Sequence, residues 1–109
     1  MKIAGIAFGV TDWSRVAPSD HAGTTGTARW RTREFGELRV LVVEYSPGYL
    51  ADHWCSKGHI VYVLEGEFES ELADGRKFTL TAGMGYQVAD HAEPHRSYTA
   101  RGVKLFIVD

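Results

Sequence analysis

The chain has 109 residues, 44% of them hydrophobic and 24% charged, which is typical of one globular domain and not of a disordered or coiled-coil protein. Its 12 Lys and Arg against 14 Asp and Glu give a net charge of -2, which excludes the broad positive field that nucleic-acid binding requires. The single cysteine, Cys55, excludes an intrachain disulfide and favours a reducing, cytoplasmic location. We therefore expect a single domain over residues 1–109 with no nucleic-acid partner.

The first apolar segment, residues 3–10, is far shorter than the roughly 20 residues that span a bilayer. Asp12 and Trp13 follow it, where a signal peptide would have small residues before its cleavage site. We predict an N-terminal strand over residues 3–10 and no membrane partner. Residues 11–27 lack alternation and contain Pro18, Gly23 and Gly26, so we predict a long loop there.

From Gly36 onward, glycine-containing turns recur roughly every 10 residues, as in β-sandwiches and barrels. The segments between them are rich in β-branched and aromatic residues, and none has a helical period. The sequence therefore predicts an all-β double sheet or small barrel. The predicted strands cover residues 28–35, 38–45, 59–64, 67–72, 76–80, 85–88, 96–99 and 103–108.

The strand predicted over 59–64 is apolar on both faces, unlike a strand that faces solvent on one side. One face carries His59, Val61 and Val63, and the other carries Ile60, Tyr62 and Leu64. The second face must be covered, either by residues 3–10 or by a second subunit.

The next predicted strand, 67–72, has the opposite character. Glu67, Glu69 and Glu71 share one face, while Phe68 and Leu72 point the other way. This alternation predicts a polar outer face above a buried inner face.

Histidines cluster around the single cysteine. His53 and Cys55 are two residues apart, so an extended backbone directs both side chains to one face. A bend at Gly58 would bring His59 back to that face. Imidazole and thiolate groups are good ligands for divalent first-row metals, so this spacing favours a metal site. The alternative is a buried cysteine that packs as a small hydrophobe beside surface histidines.

A second polar group follows at residues 90–95 and contains His91, Glu93 and His95. His95 is the candidate distant ligand for the same metal. His91 could compete with it as a ligand or serve as a nearby acid or base. Glu93 and Asp90 are further candidate bases, both expected to be exposed.

These residues resemble the two motifs of the cupin superfamily. The first motif is matched by Gly48 followed by His53-x-Cys55-x3-His59-x6-Gly66, and the second, in degenerate form, by Gly83 through Pro94-His95. The string Asp52-His53-Trp54-Cys55 is also similar to the motif of the uncharacterised DHCW-type small cupins. The resemblance covers about residues 35–108 and implies a cupin-like double-stranded β-helix, a jelly-roll barrel.

The resemblance also implies roles at the site. His53 takes the place of the first cupin ligand and His95 that of the last, while Cys55 replaces the second histidine and His59 replaces the glutamate. Three imidazoles and a thiolate favour one divalent transition metal per chain, Zn, Fe, Ni or Cu, over Mg or Ca. Four protein ligands on Zn would make a closed structural site, whereas three would leave a position for substrate.

The function that the resemblance implies is a metal-dependent enzyme acting on a small organic molecule, of oxygenase or isomerase type. A non-catalytic small-molecule-binding or metal-sensing module is the alternative, and metal storage or a structural zinc site is a third interpretation. Small cupins are commonly dimers, so we expect a homodimer that uses the N-terminal segment. The candidate pocket walls are Tyr49, Trp54, Tyr62, Tyr86 and Tyr98.

Overall fold

The computed structural model describes residues 3–109, which form eight β-strands and one short 3-10 helix, Trp13–Arg15. The all-β prediction is confirmed. The strands are β1 (Ser19–Ala22), β2 (Thr27–Phe35), β3 (Leu38–Tyr45), β4 (His59–Leu72), β5 (Lys77–Thr81), β6 (Gly85–Val88), β7 (His95–Tyr98) and β8 (Val103–Val108). Residues 3–109 contain no helix with the length and apolar character that a membrane crossing requires.

All strand pairs are antiparallel, and β4 belongs to two sheets. Its first half pairs with β8 and β6 in the larger sheet, which continues from β8 through β3 and β2 to β1. Its second half pairs with β5 and β7 in the smaller sheet. The two sheets face each other. β6 is an edge strand of the larger sheet and β5 is an edge strand of the smaller sheet.

A bulge lets β4 pass from one sheet to the other. The register with β8 shifts between Val63 and Glu65, and Gly66 has a φ of +79°. A Cβ at Gly66 would overlap the carbonyl of Gly102, so a side chain does not fit there. The turn predicted between 64 and 67 is thus a bend inside one long strand, which joins the two predicted strands.

The core lies between the two sheets and is built from alternate residues of their strands. Its buried members come from four strands, β3, β4, β5 and β8: Leu41, Val43, Val61, Val63, Phe68, Leu80, Val103, Leu105 and Ile107. Trp30, Tyr45 and Tyr86 are partly buried against it. Every core residue of β4 has the parity that the sequence alternation assigns to the inner face.

Residues 3–27 differ from the sequence-based expectation. Residues 3–10 form no strand, and three of their large side chains are exposed, Ile3 at 66%, Phe8 at 97% and Val10 at 83%. In contrast, the predicted loop contains β1, which pairs with β2 and is fixed by an ion pair of 2.9 Å between Asp20 and Arg29. β1 is exposed throughout, so it lacks the apolar alternation by which buried strands are predicted.

Candidate metal centre

Three of the predicted ligands come together inside the fold. The donor atoms of Cys55, His59 and His95 all lie within 4.8 Å of one another. His59 begins β4 and His95 begins β7, while Cys55 lies on the loop that precedes β4. That loop is tied to β7 by two backbone hydrogen bonds, from the Cys55 amide to the His95 carbonyl (2.8 Å) and from the His95 amide to the Cys55 carbonyl (3.0 Å).

Gly58 explains why the chain can return to the site at His59. The Gly58 amide donates a hydrogen bond of 2.7 Å to the Asp90 carboxylate. A Cβ at Gly58 would lie 2.6 Å from the Asp90 backbone nitrogen, so only glycine fits against this loop. The bend predicted at Gly58 therefore depends on close packing with residues 88–90.

The two imidazoles are oriented toward one point. Their Nε2 atoms are 2.8 Å apart, and the Nδ1 atom of each faces an oxygen. Nδ1 of His95 is 2.9 Å from the Glu93 carbonyl, and Nδ1 of His59 is 3.4 Å from the Asp109 carboxylate. Metal-binding histidines are commonly oriented by such oxygen partners, which leave the other nitrogen available to the metal.

Asp109 is a site residue that the sequence analysis missed. Arg39 donates two hydrogen bonds to its carboxylate, of 2.9 and 3.0 Å, and only 2% of the Asp109 side chain is exposed. Burial acts to raise the pKa of Asp109, but the hydrogen bonds and charge of Arg39, together with Lys57 and His59, outweigh it and lower the pKa below the usual value. The carboxylate therefore stays ionised beside His59 at neutral pH.

The electrostatics of the cluster favour ligands without protons. A hydrogen bond with His95 lowers the pKa of the Cys55 thiol, and the same bond raises the pKa of His95. Burial lowers the pKa of His59, so its ring is neutral at pH 7. Metal binding requires a thiolate and neutral imidazoles, and two of the three groups are already biased in that direction.

A cavity of about 100 Å³ adjoins the cluster. Its walls include Tyr86, whose hydroxyl is 3.3 Å from Nε2 of His59. Burial raises the pKa of Tyr86 well above its usual value, so the hydroxyl keeps its proton. Trp30 of β2 and Tyr45 of β3, which the sequence analysis did not name, also line this cavity.

His53 also lines the cavity but is not in the group of three. Its imidazole is 72% exposed, and its Nδ1 lies 2.7 Å from the carboxylate of Asp52. The residues around His53 form a bend, so the extended geometry that would align it with Cys55 is absent at this point of the described chain.

The two secondary candidates lie on the loop before β7. His91 is exposed and has a φ of +58°, and its amide donates to the Ser56 carbonyl at 2.8 Å. The Glu93 carboxylate accepts a hydrogen bond of 2.7 Å from Arg76, while its backbone carbonyl orients His95. The loop thus contributes to the site through its backbone.

Of the five aromatic residues predicted as pocket walls, Tyr86 is placed beside the cluster. Tyr49 is buried and stacks on Tyr45, with ring centres 4.3 Å apart. Trp54 is 40% exposed beneath the guanidinium of Arg96. Tyr62 and Tyr98 are 47% and 41% exposed, on strands whose other face is the inner one.

The donor set fits a transition metal. Ligand atoms bound at about 2.0–2.3 Å to one ion lie roughly 3–4 Å from one another, so a cluster within 4.8 Å needs only small side-chain movements. Two nitrogens and one sulfur are borderline to soft donors, which suit Zn, Fe(II), Ni or Cu rather than Mg or Ca. These three residues could therefore hold a metal.

No protein-family model and no curated protein sequence matches this chain. Several solved structures do. An RmlC-like cupin from Shewanella frigidimarina NCIMB 400 is 21% identical, with a TM-score of 0.78 over 94% of this chain and 90% of that one. A predicted oxalate decarboxylase from Thermotoga maritima is 17% identical, with a TM-score of 0.77 over 91% and 96%.

The ectoine synthase from P. lautus is similar as well, with 20% identity and a TM-score of 0.75 over 93% of this chain and 76% of that one. At such identities the similarity establishes the fold. The predicted jelly roll is confirmed.

Proposed function

We propose that this chain, which has the cupin fold, binds one divalent transition metal through Cys55, His59 and His95 and is an enzyme acting on a small organic molecule. The observation that carries the proposal is the convergence of these three donors beside a cavity, with both imidazoles oriented by oxygen partners. The similar solved structures include one named as a predicted oxalate decarboxylase and one as a sugar phosphate isomerase, so this fold supports chemistry on small organic molecules.

Three protein ligands leave a coordination position open, as in catalytic sites, whereas four would close it. A metal held here would act as a Lewis acid or activate oxygen. Within the chain, the protonated Tyr86 hydroxyl can donate a hydrogen bond to an oxygen of the substrate. Trp30, Tyr45 and Ile107 give the cavity apolar walls, against which the apolar part of a substrate could pack.

His53 has one of two roles in this proposal. A rotation of its side chain into the cavity would make it the fourth ligand, in agreement with the motif. In its present position, paired with Asp52 at the cavity, it can accept a proton from a substrate and pass it to solvent. Metal content separates the roles, because only a ligand is needed to retain the ion.

The test is elemental analysis of protein purified without added metal. We expect about one transition-metal ion per chain, and we expect His59→Ala and His95→Ala each to remove most of it. His21→Ala is the matched control, because His21 is exposed and contacts Ser19 and Trp30 instead of the cluster. Full metal content in both His59→Ala and His95→Ala would refute the proposed site. Loss in His53→Ala as well would identify His53 as the fourth ligand.

The second candidate function is a non-catalytic binding or metal-sensing module. One observation favours it: the carboxylates of the loop before β7 are engaged in structural contacts. Asp90 accepts the Gly58 amide, and Glu93 pairs with Arg76. A substrate screen of the metal-loaded protein under reducing conditions decides between the two functions, since a module would bind compounds and return them unchanged.

We also propose a homodimer with two-fold symmetry, located in the cytoplasm, where Cys55 would stay reduced. Ile60, Tyr62 and Leu64 are 53%, 47% and 41% exposed on the outer face of β4. Two further apolar residues, Phe106 and Val108, are paired with this row across the sheet. Neither residues 3–10, most of which are themselves exposed, nor another described segment buries this row. A second copy of the chain would cover both the apolar row on β4 and the exposed side chains of residues 3–10.

A further inference from the structure

A second cavity lies between β5 and β6, the edge strands of the two sheets. It has a volume of about 480 Å³, within the range of sites for small organic ligands. Each of these strands is paired with β4 on one side, and the turn at residues 82–84 connects them. We call this cavity the edge cleft. Its walls are mainly apolar: Leu72, Phe78, Leu80, Met84, Tyr86 and Val88.

Two of the apolar walls of the edge cleft are open to solvent. Phe78 is 49% exposed and Met84 is 48% exposed, although each lies beside the buried core residue Leu80 or the partly buried Tyr86. Large apolar side chains grouped around a concave surface are typical of a ligand site, whereas scattered ones need no explanation.

The inner end of the edge cleft is polar and adjoins the metal centre. Ser70 and His95 reach it although they are only 4% and 3% exposed. Tyr86 and His95 line both the edge cleft and the cavity of the metal cluster, so these two side chains form the wall between them. A ligand that reaches the inner end would contact His95, a proposed metal ligand.

The mouth of the edge cleft offers no unpaired positive charge among the residues that line it. Arg76 is 2.8 Å from Asp74 and 2.7 Å from Glu93, and the pair with Glu93 connects the two loops at the mouth. Lys77 is 3.9 Å from Glu69. An organic anion would have to compete with these carboxylates for their partners, whereas an uncharged ligand would leave every pair intact.

We infer that the edge cleft binds an uncharged, mainly apolar small molecule whose oxygen-bearing end lies against Ser70, Tyr86 and His95. The contact with His95 connects this site to the chemistry of the metal centre, and that part of the inference rests on the proposed function. The binding itself does not, because the walls and the inner polar groups belong to the fold whether or not a metal is held.

Binding is tested on the full chain with two related fluorescent probes. N-phenyl-1-naphthylamine is uncharged, and anilinonaphthalene sulfonate is its anionic counterpart. We expect the uncharged probe to bind at least about tenfold more tightly, because the anion adds an unpaired charge to an apolar cleft. Equal affinity, or tighter binding of the sulfonate, would overturn the inference.

Two variants locate the site. Phe78→Glu places a carboxylate in the cleft and should weaken binding of the uncharged probe by at least about tenfold. Tyr98→Glu is the matched control, because Tyr98 is similarly exposed at 41% but lies on the outer face of β7, opposite Glu69, and it should leave the affinity unchanged. An unchanged affinity in Phe78→Glu, or an equal loss in both variants, would place the probe elsewhere and overturn the inference.

The oxygen-bearing end is tested with 1-naphthol against naphthalene. Calorimetry should show tighter binding of the alcohol, and Ser70→Ala with Tyr86→Phe should remove the difference; a difference that survives would refute this orientation. His59→Ala separates the two proposals, since it should lose metal and still bind the uncharged probe. Retained metal with absent probe binding in the unmodified chain would refute the edge cleft alone.

Discussion

The two halves of β4 both bury their inward side chains, but their outward side chains differ: they are apolar in the first half and acidic in the second. In the first half, the inward Val61 and Val63 are buried, and the outward Ile60, Tyr62 and Leu64 are apolar but 41–53% exposed. In the second half, the inward Phe68 and Ser70 are buried, and the outward side chains are Glu67, Glu69 and Glu71. The bulge at Val63 to Glu65 marks the change between them.

The difference teaches that one strand can have two environments. Acidic side chains on the second half interact with Lys77 and Arg96 on neighbouring strands, which suits an outer face in water. The outward side chains of the first half carry no charge with which neighbouring strands could form ion pairs. Its apolar outer row is what we expect of a surface that is covered in the assembled protein.

The largest expected effect tests whether the two inner faces form a single core. Phe68→Ala should lower the free energy of unfolding by about 3–5 kcal/mol, because it leaves a cavity among fully buried residues. Denaturant unfolding measures the change. Phe78→Ala is the control: its side chain is half exposed, and the loss should stay below roughly 1 kcal/mol. Similar losses in both variants would contradict the assigned core.

The next effect concerns the outer face of the first half. Tyr62→Glu should weaken the homodimer by at least about 2 kcal/mol, since a charge would be buried at a central apolar contact. Light scattering at micromolar concentration should then report a monomer. Glu69→Gln, on the outer face of the second half, should leave the dimer intact. A monomeric mass for the unmodified, metal-loaded chain would exclude the dimer.

A smaller effect arises at the first residue of β4. Burial lowers the pKa of His59 below its ordinary value of 6.5, so the unfolded chain takes up this proton first as the pH falls. The contribution of the neutral His59 to the free energy of unfolding is therefore fully present above pH 6.5. It is lost as the pH falls through the pKa that His59 has in the folded protein.

In metal-free protein, His59→Gln should therefore make the unfolding free energy fall less steeply below pH 6.5 than in the unmodified chain. Denaturant titrations at a series of pH values measure both slopes. Identical slopes would show that the buried imidazole does not contribute to the acid sensitivity.

The smallest effect belongs to the polar outer face of the second half. Glu71 accepts a hydrogen bond of 2.7 Å from Arg96, with both side chains partly exposed. Because solvent and salt screen such pairs, Glu71→Gln should cost less than about 1 kcal/mol of unfolding free energy. The difference should shrink further at high salt, and a loss that does not depend on salt would point to packing instead.

Much of the fold is predictable from alternation. The bounds of β3, β6 and β8 agree with the predicted strands, because each lies between clear glycine or loop signals. The path of β4 cannot be predicted in this way, since Gly66 resembles a turn residue in the sequence. Only its close contact with Gly102 shows that the chain bends there within one strand. β1 is an exposed edge strand held by polar contacts, and such strands carry no hydrophobic period.

The candidate site is predictable in its ligands more than in its surroundings. The spacing of Cys55 and His59 indicates a shared face, and the motif indicates His95. Asp109 lies 50 residues from His59 in the chain, and no local pattern relates them. Their contact arises because β8 pairs with the beginning of β4. The aromatic wall of Trp30 and Tyr45 also comes from distant strands, so only the fold brings it to the cavity.

The passage of β4 through both sheets has a consequence for how the molecule opens. This one strand is hydrogen-bonded to β5, β6, β7 and β8, and His59 stands at its first position. A segment paired on both edges in two sheets cannot separate without disrupting both, so its amides should exchange with solvent only through global unfolding. Most of its pairings also join residues far apart in sequence, so closure of the chain around β4 should be slow. The metal ligands on β4 and β7 would thus be assembled only when the whole barrel has formed.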